Sequence, residues 1–247
     1  MTIGNQAFKN VRFYSSSLTL PKALKTIGNS AFKSTNIYSL TFQEDSELTS
    51  IGEESFSEIS SLSSINRFHY ATKLTEIKNN AFYNSGQRSL SFYLPKSLNE
   101  IGDNAFTNGY TNSIYLNTEA LLQKIGKEAF KGNYLSQYYI DSDGYTQIQS
   151  IDSEHPLIFT DSLTDIGEAA FNNLQGNAIT IEFDGATNLV NIGDEAFCQT
   201  SFEEHSKLNL NSESIKLIGS RAFYLNNNFE RTFTIKSLNK LEKIGDD

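Results

Sequence analysis

The chain of 247 residues is poor in several features, and each absence narrows what it can be. It has one cysteine, so it cannot form a disulfide or a cysteine-based zinc site within itself. It contains no run of about 18 apolar residues, so no segment is predicted to span a membrane. It also lacks any Asn-x-Ser/Thr acceptor for N-glycosylation.

Positive charge is scarce as well. The chain has 20 Lys and Arg against 29 Asp and Glu, which gives a net charge of -9 and a pI near 4.9. An acidic surface repels phosphate backbones and anionic headgroups, so neither nucleic-acid binding nor direct membrane insertion is predicted. Hydrophobic residues make up 38% of the chain, which is typical of a folded protein and not of a disordered one.

What the chain has in abundance is one motif, Ile-Gly-x-x-Ala-Phe. Copies begin at residues 3, 27, 51, 77, 101, 125, 166, 192 and 218, and a truncated copy begins at residue 244. The intervals are 24 or 26 residues except for one of 41. A nearly fixed period in this range predicts a solenoid, here a single domain over residues 1–247 with nine to ten coils.

The residue types of the motif predict how the coils pack. Ile, Ala and Phe are expected to stack on their counterparts in the next coil and build a continuous core. The Gly after Ile is expected to allow a left-handed or otherwise tight turn. Lys78 replaces this Gly once, which predicts a turn that differs or is strained, and Ser55 replaces the Ala once.

A second element follows each motif. Apolar residues recur eight, ten and sometimes twelve positions after the Phe, and this period-two alternation predicts a short strand with one face inward. These residues are Leu40, Phe42, Leu90, Phe92, Leu94, Ile114, Leu116, Tyr138, Ile140, Ile179, Ile181, Phe183, Phe233 and Ile235. The residues before each Ile-Gly predict another extended segment, and the Ala-Phe pair a brief helical or 3₁₀ turn.

The repeat resembles the BspA-like leucine-rich repeat. "LTLPKALKTIGNSAF" (18–32) and "FYLPKSLNEIGDNAF" (92–106) match its pattern best, and the resemblance covers essentially the whole chain. It implies an α/β repeat fold, a right-handed curved leucine-rich-repeat solenoid of mostly short strands. The family's frequent Cys three places after Phe is replaced by Thr35, Ser85 or Asn133, at positions expected to lie near the surface turn.

The resemblance also implies a function. BspA-like proteins are bacterial or protozoan surface proteins implicated in attachment to host or extracellular-matrix components. We therefore expect a non-enzymatic protein- or glycan-binding module, at the cell surface or secreted, although no signal peptide is predicted in the first residues. A structural spacer and an accessory region of a larger surface protein or enzyme are the alternatives. Because the chain starts and ends inside a repeat, a fragment is predicted, monomeric but open to end-to-end association.

The sequence offers little chemistry. Phosphate-binding, dinucleotide-binding, zinc-protease and nucleophile-elbow motifs are absent, and His69, His155 and His205 belong to different coils. Neither a catalytic site, a metal site nor a cofactor is predicted. Cys198 is expected to be a small buried apolar residue.

The 41-residue interval predicts an insertion near residues 141–158. Insertions in solenoids emerge as loops on one face, which is often a functional face. The insertion begins Asp-x-Asp-Gly and places Asp152 eleven residues after Asp141, which faintly resembles a calcium loop. Tyr145 and Thr146 break that pattern, so an elaborated hairpin is the favoured interpretation.

The outward positions of the predicted strands, with the insertion beside them, form the candidate binding surface. Its candidate residues are Arg67, His69, Tyr93, Tyr115, Tyr139, Asp141 and Glu182. In-register stacking of the strands would make Tyr93, Tyr115 and Tyr139 neighbours. Tyrosine offers a large amphipathic contact area, which suits binding. The alternative is that these tyrosines only favour strands and pack across them.

Overall fold

The computed structural model of the protein is a β-solenoid. It describes residues 1–86, 90–107, 113–117, 119–140, 146–149, 157–174, 181–183, 185–200, 207–210, 213–224, 232–235 and 238–246. Over these residues the chain contains 21 short strands and one three-residue 3₁₀ helix.

The 21 strands are numbered in chain order. They are β1 (Thr2–Ile3), β2 (Ser17–Thr19), β3 (Thr26–Ile27), β4 (Ser39–Thr41), β5 (Ser50–Ile51), β6 (Ser64–Asn66), β7 (Glu76–Ile77), β8 (Ser91–Tyr93), β9 (Glu100–Ile101), β10 (Ser113–Asn117), β11 (Lys124–Ile125), β12 (Tyr134–Ile140), β13 (Thr146–Gln149), β14 (Leu157–Ile158), β15 (Asp165–Ile166), β16 (Ile181–Glu182), β17 (Asn191–Ile192), β18 (Lys207–Leu210), β19 (Leu217–Ile218), β20 (Thr232–Ile235) and β21 (Lys243–Ile244). The 3₁₀ helix, Phe68–Tyr70, lies between β6 and β7.

One long parallel sheet collects the motif isoleucines. Its ten strands follow the order β1-β3-β5-β7-β9-β11-β15-β17-β19-β21. Each isoleucine lies opposite the next one, as Ile27 lies opposite Ile51, and those from Ile27 to Ile218 are buried. The predicted extended segment before each Ile-Gly is therefore confirmed, and it supplies one wall of the core.

The remaining strands form three shorter sheets, ordered β2-β4-β6, β13-β12-β10-β8 and β14-β16-β18-β20. Their pairs are parallel except for β12 and β13, which are antiparallel and place β13 at a sheet edge. The predicted inward residues Leu40, Phe42, Phe92, Ile114 and Leu116 are at most 4% exposed. The period-two pattern is confirmed at these positions.

The motif phenylalanines form a continuous stack along the solenoid. Neighbouring rings are nearly parallel, with centroids 5.0–5.7 Å apart. The stacked residues are Phe8, Phe32, Phe56, Phe82, Phe106, Phe130, Phe171, Phe197 and Phe223. Burying each ring contributes about 1.5–3 kcal/mol, and each offset-stacked pair adds about 0.5–1.5 kcal/mol. This stack is the main hydrophobic connection between coils.

The backbone of the motif forms successive four-residue turns and no helix. In the second coil, the Ala31 N–H donates to the Gly28 carbonyl at 3.3 Å, and the Lys33 N–H donates to the Ser30 carbonyl at 3.2 Å. Ser30, the residue before Ala31, is left-handed with φ 51°. The equivalent residue is left-handed in all nine complete copies, namely Gln6, Ser30, Glu54, Asn80, Asn104, Glu128, Ala169, Glu195 and Arg221. Because a left-handed residue interrupts a helix, the predicted helical turn does not form.

The motif glycine has a different role from the left-handed one predicted. A Cβ at Gly126 would lie 2.5 Å from the Asp103 nitrogen and the Gly102 carbonyl carbon of the preceding coil. At each motif glycine from Gly28 to Gly245, a Cβ would lie equally close to backbone atoms of the preceding coil. Glycine is therefore needed because two backbones approach closely, and the left-handed residue lies two positions later.

The α/β description is not confirmed. Over the described part of the chain, helix is limited to Phe68–Tyr70, and the coils are built from strands and turns. The right-handed coiling stays a prediction.

Thr35, Ser85 and Asn133, each three residues after a motif Phe, are buried, which corrects the surface location predicted for them. Thr35, Ser85 and Asn133 are at most 7% exposed, and so is Thr200. The Thr200 hydroxyl donates to the Phe171 carbonyl of the preceding coil at 2.8 Å, and the Ser85 hydroxyl donates likewise to the Phe56 carbonyl. At Ser85 and Thr200 the polar group is satisfied by a buried backbone carbonyl, whereas the Thr35 hydroxyl has no hydrogen-bond partner among the described residues.

The turn at Lys78 does not differ from those of the glycine-bearing copies, which corrects the prediction of a different turn. Its N–H donates to the Ile51 carbonyl at 3.0 Å, and its carbonyl accepts from the Ala81 N–H at 3.2 Å, as in the glycine-bearing copies. Beside it a cavity of about 160 Å³ opens, lined among others by Glu53 and Asn79.

Ser55, the one serine at the motif alanine position, predicts a stabilising substitution. It is fully buried, and its hydroxyl has no hydrogen-bond partner among the described residues. Ser55→Ala removes this unpaired group, so we expect the free energy of unfolding to rise by about 1 kcal/mol. Urea unfolding followed by circular dichroism measures the change.

Ala81→Ser in the next coil is the matched control. Ala81 is also fully buried, and the added hydroxyl is expected to lower the free energy of unfolding by about 1–2 kcal/mol. If both variants changed the free energy of unfolding equally and in the same direction, the unpaired Ser55 hydroxyl would not be the destabilising group.

Candidate functional site

Two of the predicted tyrosines meet on the outer face of the sheet β13-β12-β10-β8. Tyr93 in β8 and Tyr115 in β10 are register partners, and their ring centroids lie 4.5 Å apart with an interplanar angle of 6°. Both side chains are half-buried, whereas their strand neighbours Phe92 and Ile114 are fully buried. The alternation of the strands thus directs the two phenol rings outward as a stacked pair.

Arg67 and His69 join this pair through the 3₁₀ helix. The His69 ring lies edge-on to Tyr93 at 6.4 Å and to Tyr70 at 4.6 Å. The Arg67 guanidinium carbon lies 5.8 Å above the Tyr70 ring, within the range of a cation–π contact. Arg67, His69, Tyr70, Tyr93 and Tyr115 form one contiguous group, the aromatic cluster.

The 3₁₀ helix positions its half of the cluster because Phe68 is an internal anchor. Phe68 is 1% exposed and packs on Phe42 with ring centroids 4.7 Å apart. Arg67 is left-handed with φ 60°, and its carbonyl accepts from the Tyr70 N–H at 3.0 Å. With Phe68 held inside, the chain places His69 and Tyr70 half-buried at the surface.

The cluster carries one positive charge at neutral pH. Burial lowers the pKa of the His69 imidazole, and the nearby Arg67 charge lowers it further, so this ring is neutral. Burial, with Tyr115 beside it, raises the pKa of the Tyr93 phenol, so that group keeps its proton. The guanidinium of Arg67 is exposed on a chain whose net charge is -9.

Tyr139 does not continue the tyrosine pair, which corrects the predicted arrangement. The residue opposite Tyr115 in β12 is Ser136, and Tyr139 pairs with Gln147 of the antiparallel β13. Ser136 follows the motif Phe130 by six residues, whereas Tyr115 follows Phe106 by nine. The connection before β12 is three residues shorter, so the strand is shifted in register. For the same reason Leu135 and Gln137 take the places predicted for Tyr138 and Ile140.

The remaining two predicted residues are Asp141 and Glu182. Asp141, and with it most of the faint calcium-loop pattern, falls outside the described residues. Glu182 lies in β16, which belongs to the sheet β14-β16-β18-β20, opposite Asn209. The structure therefore brings together four predicted residues, Arg67, His69, Tyr93 and Tyr115.

Tyr70 is the member of the cluster that the sequence analysis missed. It stands next to His69 in the run Arg-Phe-His-Tyr, whose single buried residue is Phe68. Strand alternation predicts outward side chains at Arg67 and His69 and gives no position for Tyr70. The dense aromatic run after a strand was the available signal.

The outer face of the ten-stranded sheet carries a polar groove. A cavity of about 460 Å³ spans several coils there, lined by Thr75, Glu76, Asn99, Glu100, Gln123, Lys124 and Thr164. Its charges are largely paired with one another, since the Lys124 ammonium lies 3.1 Å from the Glu100 carboxylate. Glu76 accepts a hydrogen bond from the Ser50 hydroxyl at 3.1 Å.

Reactive chemistry is sparse in the described part of the chain. No group of three or more His, Cys, Asp or Glu side chains there is placed to hold a metal ion. None of its helices has the length and apolar character needed to cross a bilayer. Cys198 is 5% exposed, as predicted, and burial raises the pKa of its thiol, which keeps the sulfur protonated. His155 and His205 lie outside the described residues.

Several solved structures match the chain at low sequence identity. A leucine rich cell surface protein of Faecalibacterium prausnitzii is 16% identical with a TM-score of 0.40, over 99% of this chain and 82% of that one. The pneumococcal vaccine antigen PcpA is 20% identical with a TM-score of 0.41, over 99% of this chain and 63%, less than two thirds, of that one. A leucine-rich repeat protein from Bacteroides ovatus is 19% identical with a TM-score of 0.36, over 98% and 74% of the two chains.

A search among curated proteins found no match to the sequence. The family model described as "BspA type Leucine rich repeat region (6 copies)" matches residues 1–107, 45–155 and 151–247. These three matches together span the chain from end to end, in agreement with the repeat of Ile, Gly, Ala and Phe and with the stacked coils. The chain is a member of the BspA-type leucine-rich repeat family.

Proposed function

We propose that this chain is a non-enzymatic binding module of a surface or secreted protein, and that it attaches to a host or extracellular-matrix protein or glycan through the aromatic cluster. The observation that carries the proposal is the stacked pair of Tyr93 and Tyr115, extended by His69, Tyr70 and Arg67 into one surface. Aromatic and arginine side chains dominate the energetics of binding surfaces.

The cluster is also suited to binding because it is rigid before a partner arrives. Tyr93 and Tyr115 stand on paired strands, and each ring is held by its neighbour. The adjoining helix is anchored by the buried Phe68. Little side-chain entropy is left to lose on association, so a larger share of the contact energy appears as affinity.

The experiment is a binding assay with immobilised extracellular-matrix proteins and glycans. The variant Tyr93→Ser/Tyr115→Ser removes both rings at half-buried positions, where the strand and its buried residues remain. We expect saturable binding by the unchanged chain and a loss of at least about tenfold in affinity for the variant, since 1.4 kcal/mol corresponds to tenfold.

The matched control is Tyr83→Ser/Tyr224→Ser. These two tyrosines are 40% and 45% exposed and belong to other positions of the repeat. The control is expected to keep the affinity of the unchanged chain, with circular dichroism confirming that both variants fold. Saturable binding that survives the loss of Tyr93 and Tyr115 would rule out the cluster. No binding across the panel would favour the structural spacer instead.

A further inference from the structure

The rings of Tyr93 and Tyr115 are placed to react with each other. We propose that this pair is a site of oxidative cross-linking, at which a one-electron oxidant, a haem peroxidase with hydrogen peroxide, joins the two rings into a dityrosine. The inference goes beyond the proposed function and does not depend on it, because it uses only the geometry of the pair and the chemistry of phenols.

The backbone holds the two rings as neighbours. Tyr93 in β8 and Tyr115 in β10 are register partners in a parallel pair, so their side chains leave the sheet in the same direction. The ring centroids lie 4.5 Å apart and the ring planes differ by 6°. The carbons ortho to the two phenol oxygens are therefore about as far apart as the centroids. Such fixed proximity makes a reaction within one molecule faster than the same reaction between molecules.

The coupling is a balanced two-electron oxidation. Each phenol loses one electron to the oxidant and its hydroxyl proton to the solvent, which leaves a phenoxyl radical with spin on the oxygen and the ortho carbons. The two radicals form one C–C bond between ortho carbons. The hydrogen on each bonded carbon leaves as a proton and each oxygen takes a proton up, so both hydroxyls are restored. The product has two hydrogen atoms fewer, and hydrogen peroxide is reduced to two molecules of water.

The stacked rings can reach the geometry of the product. A bond between two rings lies in the plane of each ring, so the pair must turn from face to face toward edge to edge. The χ2 torsion of tyrosine is broad, and side chains at the surface change rotamer in picoseconds to nanoseconds. Both phenol rings are half-buried, whereas their strand neighbours Phe92 and Ile114 are fully buried. The turn therefore takes place outside the core.

The pair differs from the other tyrosines that the structure describes. Tyr93 and Tyr115 are the one pair of tyrosine rings in contact among the described residues. The ring of His69 lies between Tyr70 and Tyr93. Tyr83 is 40% exposed but contacts no other tyrosine ring within the described part of the chain. Exposure alone favours oxidation at Tyr83, whereas adjacency favours a link between Tyr93 and Tyr115.

The link gives the solenoid a covalent bridge that its cysteine content excludes. The chain has one cysteine, so no disulfide can join its coils. A dityrosine between residues 93 and 115 joins one coil to the next and restricts the unfolded chain, as a disulfide does. Oxidation thereby stabilises the two coils that carry the stacked pair.

The test oxidises the full chain with a haem peroxidase and hydrogen peroxide. The blue fluorescence of dityrosine measures the yield, and mass spectrometry of a tryptic digest locates the link. The expected product joins the peptide of residues 89–96, whose one tyrosine is Tyr93, to the peptide of residues 97–124, which contains Tyr110 and Tyr115. Its mass is lower by two hydrogen atoms than the sum of the two peptides. The yield per molecule is expected to be independent of protein concentration, because the link forms within one chain.

Three variants identify the reacting rings. Tyr93→Phe and Tyr115→Phe each keep a ring in the stack but remove the phenol that is oxidised, and Tyr115→Phe also separates Tyr115 from Tyr110. Each is expected to lose at least about tenfold in dityrosine yield, because the remaining phenol has lost its neighbour. Tyr83→Phe is the matched control: it removes a more exposed tyrosine and is expected to keep the yield within about twofold. Circular dichroism confirms that all three variants fold.

Failure of this inference is distinguishable from failure of the proposed function. An equal yield in Tyr93→Phe, a link mapped to other tyrosines, or a yield per molecule that rises with protein concentration would overturn the inference. Separate hydroxylation of Tyr93 and Tyr115 with no link between them would also overturn it. None of these results bears on attachment, which is measured without an oxidant, and a chain that binds no member of the panel is still expected to form the link.

Discussion

Phe106→Ala is expected to lower the free energy of unfolding by about 4 kcal/mol, at the upper end of the range for large-to-small substitutions in a core. The Phe106 ring is fully buried and stacks on Phe82 at 5.6 Å and on Phe130 at 5.7 Å. The ring of Phe92 meets it edge-on at 5.0 Å. Removing the ring therefore leaves a cavity with three aromatic walls and breaks the stack in the middle of the solenoid.

Phe8→Ala is the matched control for this lesion. Phe8 is 37% exposed and stacks on one motif ring, Phe32. We expect it to cost about 1.5 kcal/mol or less, because less apolar surface returns to water. Urea unfolding by circular dichroism gives both values. In a repeat array each coil is stabilised by its neighbours, so Phe106→Ala is also expected to broaden the transition as the two halves separate. Equal losses in the two variants would contradict the stack as the connecting element.

The sequence was sufficient to predict the features that recur in every coil. Ile, Ala and Phe stand at fixed positions because each must contact its own counterpart one coil away. A contact that is repeated in every coil requires the same residue type in every coil. The ladder of isoleucines, the phenylalanine stack and the inward residues of the strands could all be predicted for this reason. The brief helical turn predicted at the Ala-Phe pair was wrong, because the residue before the Ala is left-handed in every complete copy.

Two features of the motif turn could not be predicted from residue type: which residue is left-handed, and why the glycine is required. The left-handed position is occupied by Ser30, Glu54 and Arg221 among others, none of which is the usual glycine. The repeated glycine lies two positions earlier, where the backbones of two coils approach closely. The sequence of a single coil does not reveal that contact. Ser85 and Thr200 mislead in the same way. They are polar residues at a buried position, and each donates a hydrogen bond to a backbone carbonyl.

The site could be predicted in part, and the limit was register. Tyr93 and Tyr115 were identified because the alternation of their strands fixes which side chains point outward. The prediction for Tyr139 was wrong because the connection after Phe130 is three residues shorter than the one after Phe106. No residue type in the sequence indicates where β12 begins. Pairing in a sheet is set by backbone hydrogen bonds, so a change in loop length moves every residue of the strand.

Gly126→Ala is expected to be nearly as damaging as the loss of a stacked ring, although it adds a single methyl group. The new Cβ would lie 2.5 Å from the Asp103 nitrogen and the Gly102 carbonyl carbon. Both are backbone atoms, which cannot rotate away as a side chain would. The two coils must separate, and this stretches the bonds that join them, including the 2.8 Å bond from the Gly126 N–H to the Ile101 carbonyl. We expect a loss of about 3 kcal/mol.

Gly4→Ala is the control that isolates the close approach from the loss of glycine itself. A methyl group at Gly4 would meet no atom within 4 Å among the described residues. Neither Gly4 nor Gly126 is left-handed, so backbone strain does not distinguish them. Alanine restricts the unfolded chain more than glycine does, so Gly4→Ala is expected to raise the free energy of unfolding by about 0.5 kcal/mol. Lys78 is the one copy in which this position carries a Cβ, and a cavity of about 160 Å³ lies beside it. Urea denaturation of the two variants gives opposite signs if contact between coils explains the glycine, and losses of similar size would show that the turn itself requires it.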